Sequence, residues 1–239
     1  MQSIIRIFVI AVFLIMPYLT MAHGYWIEIE GNNRPNEAVT VKMFYGDYPV
    51  GERLSGKPLD KMKDIKVYIT STNGLKQEIP MTQTADYWEG TFKPQAEGIY
   101  EITGINDTRE VQDWTKHDMG ITRPIQYLKA TYQVGQKDNG KADDMFLDIK
   151  TKKLPGNSYE TLVYKKGKIV DAGQKVIVTG YGANEQELIT DKKGKITYKL
   201  DKPGLYILSI DWVDKTPGEY KGKPYETVRH RLDYSIYKQ

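Results

Sequence analysis

Beyond residue 22 the apolar side chains recur at every second position, in short runs bounded by Gly, Pro and Asn. The alternation is clearest over 25–30, 39–45, 65–70 and 99–105, then over 146–151, 176–181, 196–200, 205–212 and 228–237. A period of two in runs rich in Tyr, Ile, Val and Thr predicts half-buried strands, and helical periodicity is almost absent. Asn73-Gly74 predicts a tight hairpin turn, because both residues tolerate the positive φ such turns need. Lys166-Gly167 and Lys193-Gly194 predict further turns. The pattern is that of an all-β protein.

The first 22 residues break this pattern. One Arg precedes an unbroken apolar run from Ile7 to Met16, followed by Pro17 and the small-residue exit Thr20-Met21-Ala22. That layout predicts a secretory signal peptide over residues 1–22, with an apolar stretch too short for a stable membrane span. Cleavage after Ala22 would send the protein to the periplasm and make His23 its first residue. With no second long apolar segment, no stable membrane insertion is expected after cleavage.

A polar stretch in mid-chain offers nothing to bury and predicts a linker over residues 135–142. It separates an expected sandwich over 23–134 from a second over 143–239. Gly90 to Ile102 and Gly194 to Leu208 echo each other: a strand, a polar turn ending in Gly98 or Gly204, then an apolar residue and Tyr100 or Tyr206. Immunoglobulin-like sandwiches place a Tyr at such a corner, where its hydroxyl ties the turn backbone. The expected fold is therefore two immunoglobulin-like β-sandwich domains behind a cleaved leader.

Composition narrows the chemistry. Lys and Arg number 34 against 31 Asp and Glu, a formal net charge of +3, which gives no reason to expect nucleic-acid binding. The chain has no cysteine, which excludes disulfides, thiolate metal sites, thiol nucleophiles and a lipid anchor on Cys. No phosphate-binding glycine loop, serine elbow or zinc-protease helix motif occurs, so an enzyme is not expected.

The candidate site residues are the three histidines, His23, His117 and His230. As a mature N-terminus, His23 would carry a free amine and an imidazole on one residue, a ready bidentate chelate whose donors both titrate near neutrality. His117 lies in a polar loop before a strand. His230 shares a strand face with Val228 and Leu232, as a packing histidine would, whereas Arg229 and Arg231 point the other way. Three nitrogen donors on distant segments suffice for a transition metal if the fold brings them together. Tyr25, Trp26, Tyr87, Trp88 and Trp114 could instead form a sugar-stacking face, although such aromatics usually serve the core of an all-β protein.

The leader ending in Ala22-His23, the aromatic strand that follows, the segment Ile121 to Ala130, the run Gly167 to Val178, Thr190 to Gly194 and Pro203-Gly-Leu-Tyr206 together resemble the periplasmic family associated with bacterial nickel and cobalt uptake transporters (CbiK-type). The resemblance spans the whole mature chain. It implies an accessory protein that binds or hands over a divalent transition metal, nickel or cobalt with copper as a chemical alternative, to a membrane metal-uptake transporter. His117 and His230 are added as ligand candidates by chemistry alone. The competing expectation is a non-metal envelope module that recognises a glycan or a protein partner. The two diverge on whether His23 lies near another donor.

Overall fold

The computed structural model describes residues 23–135, 145–183 and 185–238. The expected leader, and the expected linker from residue 136 onward, lie outside the described residues. Among the described residues strands account for 58% and helix for 6%, so the protein is all-β. The first half contains β1 (Gly24–Glu30), β2 (Val39–Asp47), β3 (Glu52–Arg53), β4 (Lys66–Thr70), β5 (Lys76–Ile79), β6 (Thr82–Gln83), β7 (Trp88–Phe92), β8 (Gly98–Asn106), β9 (Gln112–Asp113) and β10 (Ile121–Val134). The second contains β11 (Leu147–Lys153), β12 (Ser158–Lys165), β13 (Lys168–Ile169), β14 (Lys175–Gly180), β15 (Gln186–Ile189), β16 (Lys195–Lys199), β17 (Gly204–Asp214), β18 (Gly218–Tyr220), β19 (Lys223–Tyr225) and β20 (Thr227–Lys238). Each alternating run lies largely or wholly on one of these strands. The Asn73-Gly74 turn joins β4 to β5 with Gly74 at φ 87°, and Lys166-Gly167 joins β12 to β13 with both residues at positive φ.

A nine-stranded sheet in the order β15-β14-β17-β20-β10-β8-β4-β5, with β9 beside β10, runs through both halves. Its strands pair antiparallel except at the middle, where Thr122–Ala130 of β10 runs parallel to Thr227–Ser235 of β20. From that seam the two halves read outward in mirrored order. A half-turn about a line between β10 and β20 would exchange them, and such a rotation also exchanges the faces of the sheet. The five-stranded sheet (β1-β2-β7-β6, with β3 beside β2) accordingly covers one face, and the four-stranded sheet (β11-β12-β13, with β16 beside β12) covers the other. Adjacent residues of β10 record this inversion. Leu128 and Ala130 join a core with Ile27, Val41 and Ile102, whereas Tyr127 joins a second core with Leu147, Val163 and Leu208.

The centre of β10 and of β20 is thus buried on both faces, the usual condition for parallel pairing. Part of that burial is polar. Lys129 is 1% exposed, and its Nζ reaches the Asp148 carboxylate on β11, Glu101 on β8 at 3.1 Å and the Ile149 carbonyl at 3.2 Å. Burial works against the ammonium, but Asp148 and Glu101 more than offset it, so the Lys129 pKa is raised. This cluster joins strands of both halves.

The two candidate corners close as expected. The Tyr100 hydroxyl donates to the Ala96 carbonyl at 2.9 Å and accepts from the Ala96 N–H at 3.0 Å. Tyr206 does the same with Lys202, at 3.1 and 3.2 Å.

Candidate functional site

His23 sits just before β1, at the end of the five-stranded sheet where β2 turns into β3. In register, Gly24 faces Gly46, and Asp47 faces Glu52. Position 46 needs glycine because of close approach: a Cβ there would lie 2.2 Å from the Glu52 carbonyl oxygen. This closeness carries Glu52 toward the start of β1, and its Oε2 lies 3.2 Å from His23 Nε2. Both side chains are partly exposed, and the imidazole lies 5.6 Å from the Tyr45 ring.

The other two histidines have different surroundings. His117 ends an exposed 3-10 turn, Thr115–His117. His230 is buried, stacked on Phe146 with ring centroids 3.5 Å apart, and its Nδ1 is 2.9 Å from the Tyr127 hydroxyl. Burial pushes its pKa down to about 4 against the partial support of Asp214, with Lys166 and Arg123 adding to the depression, so the ring is neutral at ordinary pH. Among the described residues, no group of three or more His, Asp or Glu side chains is placed to hold a metal ion. His23 is the histidine with a carboxylate in direct contact.

Next to it lies a pocket that the sequence did not reveal. It opens between the start of β1, the end of β2 and the face of β14, β17 and β20 that the four-stranded sheet leaves uncovered, and its lining includes Tyr25, Trp26, Asp47, Tyr48, Ser209 and Arg231. Arg231 grips Asp233 through Nε at 2.9 Å and Nη2 at 3.0 Å. Asp233 also accepts from Gln126 Nε2 at 2.9 Å and Ser209 Oγ at 2.6 Å. The paired carboxylate drives the Arg231 pKa further up. Asp47, by contrast, is 7% exposed, and its Oδ2 has no hydrogen-bond partner among the described residues. In sequence, Asp47 before Tyr48-Pro49 reads as an ordinary turn acid.

A wider groove adjoins the pocket, with Trp26, Tyr48, Tyr206, Tyr181 and Tyr237 among its lining residues. Tyr181 and Tyr237 are 66% and 70% exposed. Contacts between the halves frame it: Tyr48 donates its hydroxyl to the Leu205 carbonyl, and the Gly182 N–H donates to the Pro49 carbonyl at 3.0 Å. Of the aromatics named as a sugar-stacking face, Trp26 lines this groove but is 1% exposed. Tyr25 is in the first core, Tyr87 packs on Phe44, Trp88 donates to the Leu59 carbonyl, and Trp114 lies beneath Arg229.

These features define an all-β protein whose polar pocket and aromatic groove lie where its two halves meet. Residues 20–214 match the family described as a domain of unknown function, DUF4198, and the chain belongs to that family. No curated protein matches it. No helix among the described residues is long and apolar enough to cross a membrane.

Proposed function

We propose that the protein is an exported, periplasmic binding protein that captures a divalent transition metal at a mature N-terminal His23 and passes it to a membrane uptake transporter. The observation that carries this reading is the contact between Glu52 and His23 Nε2. A carboxylate accepting from Nε2–H fixes the tautomer that leaves Nδ1 with its lone pair, on the same residue as the free amine. Amine and Nδ1 then close a chelate ring, and Glu52 holds the imidazole in orientation from behind. Water or a donor from the receiving transporter completes the coordination, an open arrangement suited to transfer. Nickel or cobalt follows from the resemblance to the uptake-associated family, and copper suits the same donors. His117 and His230 have no part in this chelate, and no catalytic step is assigned. The immunoglobulin-like reading of the two halves belongs to this proposal as well, supported by the paired corners at Tyr100 and Tyr206.

The test is calorimetric titration of Ni²⁺ and Cu²⁺ into processed protein beginning at His23 and into the same chain with one Met added before it. The added residue converts the amine to an amide, so affinity should fall sharply. Glu52→Gln should cost about tenfold or more in affinity. Equal affinity of the two chains rules out amine ligation.

The glycan- or protein-binding reading is kept because Tyr181 and Tyr237 stand exposed at the groove. Exposed aromatic rings are the usual platform for sugar stacking and for partner anchors. Retention on an immobilised glycan or envelope protein, lost in Tyr181→Ala with Tyr237→Ala, would favour it.

A further inference from the structure

The pocket beside His23 contains a charge the fold does not compensate. Its charged lining residues are Asp47, Arg231 and Asp233, for a net charge of −1. The Arg231 cation is committed to Asp233, whose two oxygens are further occupied by Gln126 and Ser209. Asp47 is left with an unpartnered oxygen although the residue is more than nine-tenths buried. Buried charges are costly unless paired and hydrogen-bonded, so such a carboxylate marks the place of a missing donor.

We propose that Asp47 is the anchor of an ammonium-binding site. Three features select that chemistry. The pocket's uncommitted charge is negative, which favours a cation. Tyr25, Trp26 and Tyr48 supply aromatic walls, and aromatic faces attract ammonium groups. Calcium and magnesium, by contrast, require a cage of six or more oxygens, whereas here the second carboxylate is already saturated by its own chain. A group with three N–H donors and one positive charge matches one free carboxylate in an aromatic corner.

Such an ammonium has two sources. The first is the chain itself. Gly24 pairs with Gly46 and both line the pocket with Asp47, so the residue just before Gly24 is close to this end of the pocket, and cleavage before His23 would place an α-ammonium near the unpartnered Asp47 oxygen. This source rests on the processing assumed in the proposed function, and it makes Asp47 compete with a metal for the same amine. The second source is a free small amine entering from solvent, which needs no processing.

A double-mutant cycle with a ligand arm tests the site and separates the sources. Processed protein starting at His23 and the Met-extended chain are each prepared with Asp47 and with Asp47→Asn. Urea unfolding is measured for all four, and methylammonium is titrated while the Trp26 indole N–H is followed by NMR. If the ammonium is the chain's own, the processed protein folds with an equilibrium constant about tenfold or more above the Met-extended form, and Asp47→Asn removes that advantage. Methylammonium then shifts Trp26 only in the Met-extended chain. If the ammonium comes from solvent, both forms respond to methylammonium equally and both lose the response in Asp47→Asn. Equal stability of the two forms, with no Asp47-dependent response to methylammonium in either, overturns the proposal. Ni²⁺ titration of processed Asp47→Asn keeps the metal reading separate, because that variant retains the amine, the imidazole and Glu52.

Discussion

His230 should make the protein acid-sensitive. Its imidazole lies between Phe146 and Tyr127, and burial depresses its pKa from an ordinary 6.5 to about 4. Below pH 6.5 the unfolded chain takes up a proton at this residue that the native protein refuses until about pH 4. The unfolded state therefore binds more protons in that window, and stability falls as pH falls. One pH unit between the folded and unfolded pKa corresponds to about 1.4 kcal/mol, so the full interval is worth roughly 3 kcal/mol, with about 2 kcal/mol already lost at pH 5 relative to pH 8. Urea unfolding of the wild type and of His230→Gln at half-unit steps from about pH 8 to about pH 4 isolates the effect, since other groups common to both cancel in the difference. The variant starts less stable at the alkaline end, because it loses the ring stacking and the Tyr127 contact. The gap should then narrow by about 2 kcal/mol by pH 5. A gap constant across the range would show that burial does not hold the imidazole neutral.

Other substitutions probe the seam, the corners and the His23 contact. Lys129→Met leaves Asp148 and Glu101 buried without their shared cation and should destabilise the fold by about 3–5 kcal/mol in urea unfolding, and a loss below about 1 kcal/mol would contradict the role given to this cluster. Tyr100→Phe and Tyr206→Phe should each cost roughly 1 kcal/mol or somewhat more, since each hydroxyl makes two backbone bonds, and an unchanged unfolding midpoint in both would refute the corner assignment. Gly46→Ala forces a Cβ against the Glu52 carbonyl, so it should cost about 1–3 kcal/mol and weaken Ni²⁺ binding together with stability.

The local features of this fold are legible in its sequence, because their determinants are local. Strand positions follow from the two-residue period, and the Tyr corners from a Gly-x-Tyr spacing within one turn. The long central sheet is hidden for a physical reason. On β10 and β20 both buried faces carry polar residues, Gln126, Asp233 and Ser235 on one and Lys129 on the other, whose polar groups are satisfied across strands distant in sequence. Polar residues interspersed among the apolar ones make such strands read as half-exposed, so the covering of both faces leaves no trace in hydropathy. The candidate site divides in the same way. His23 is conspicuous from the leader-like pattern expected before it in the sequence, but Glu52 reaches it only because Gly46 admits the close approach of β3. Asp47 gives no signal at all, since its missing partner is a property of the packed pocket. The apolar setting of His230 is readable from Val228 and Leu232, whereas its stacking on Phe146 is not.

The position of β20 has a consequence for the order in which the molecule can be assembled. This strand comes later in the chain than both strands it joins, yet it fills the gap between β10 and β17. As the polypeptide emerges, β10 and β17 must wait with open hydrogen-bonding edges until residues 227–238 arrive. Open edges invite pairing with other chains, and contacts this distant in sequence form slowly. The cluster around Lys129 then has a use before folding is complete. Lys129 on β10 is neutralised by Asp148 of β11 as well as Glu101 of β8, so a foreign strand that pairs at the waiting edge before β11 docks would bury the cation short of a carboxylate.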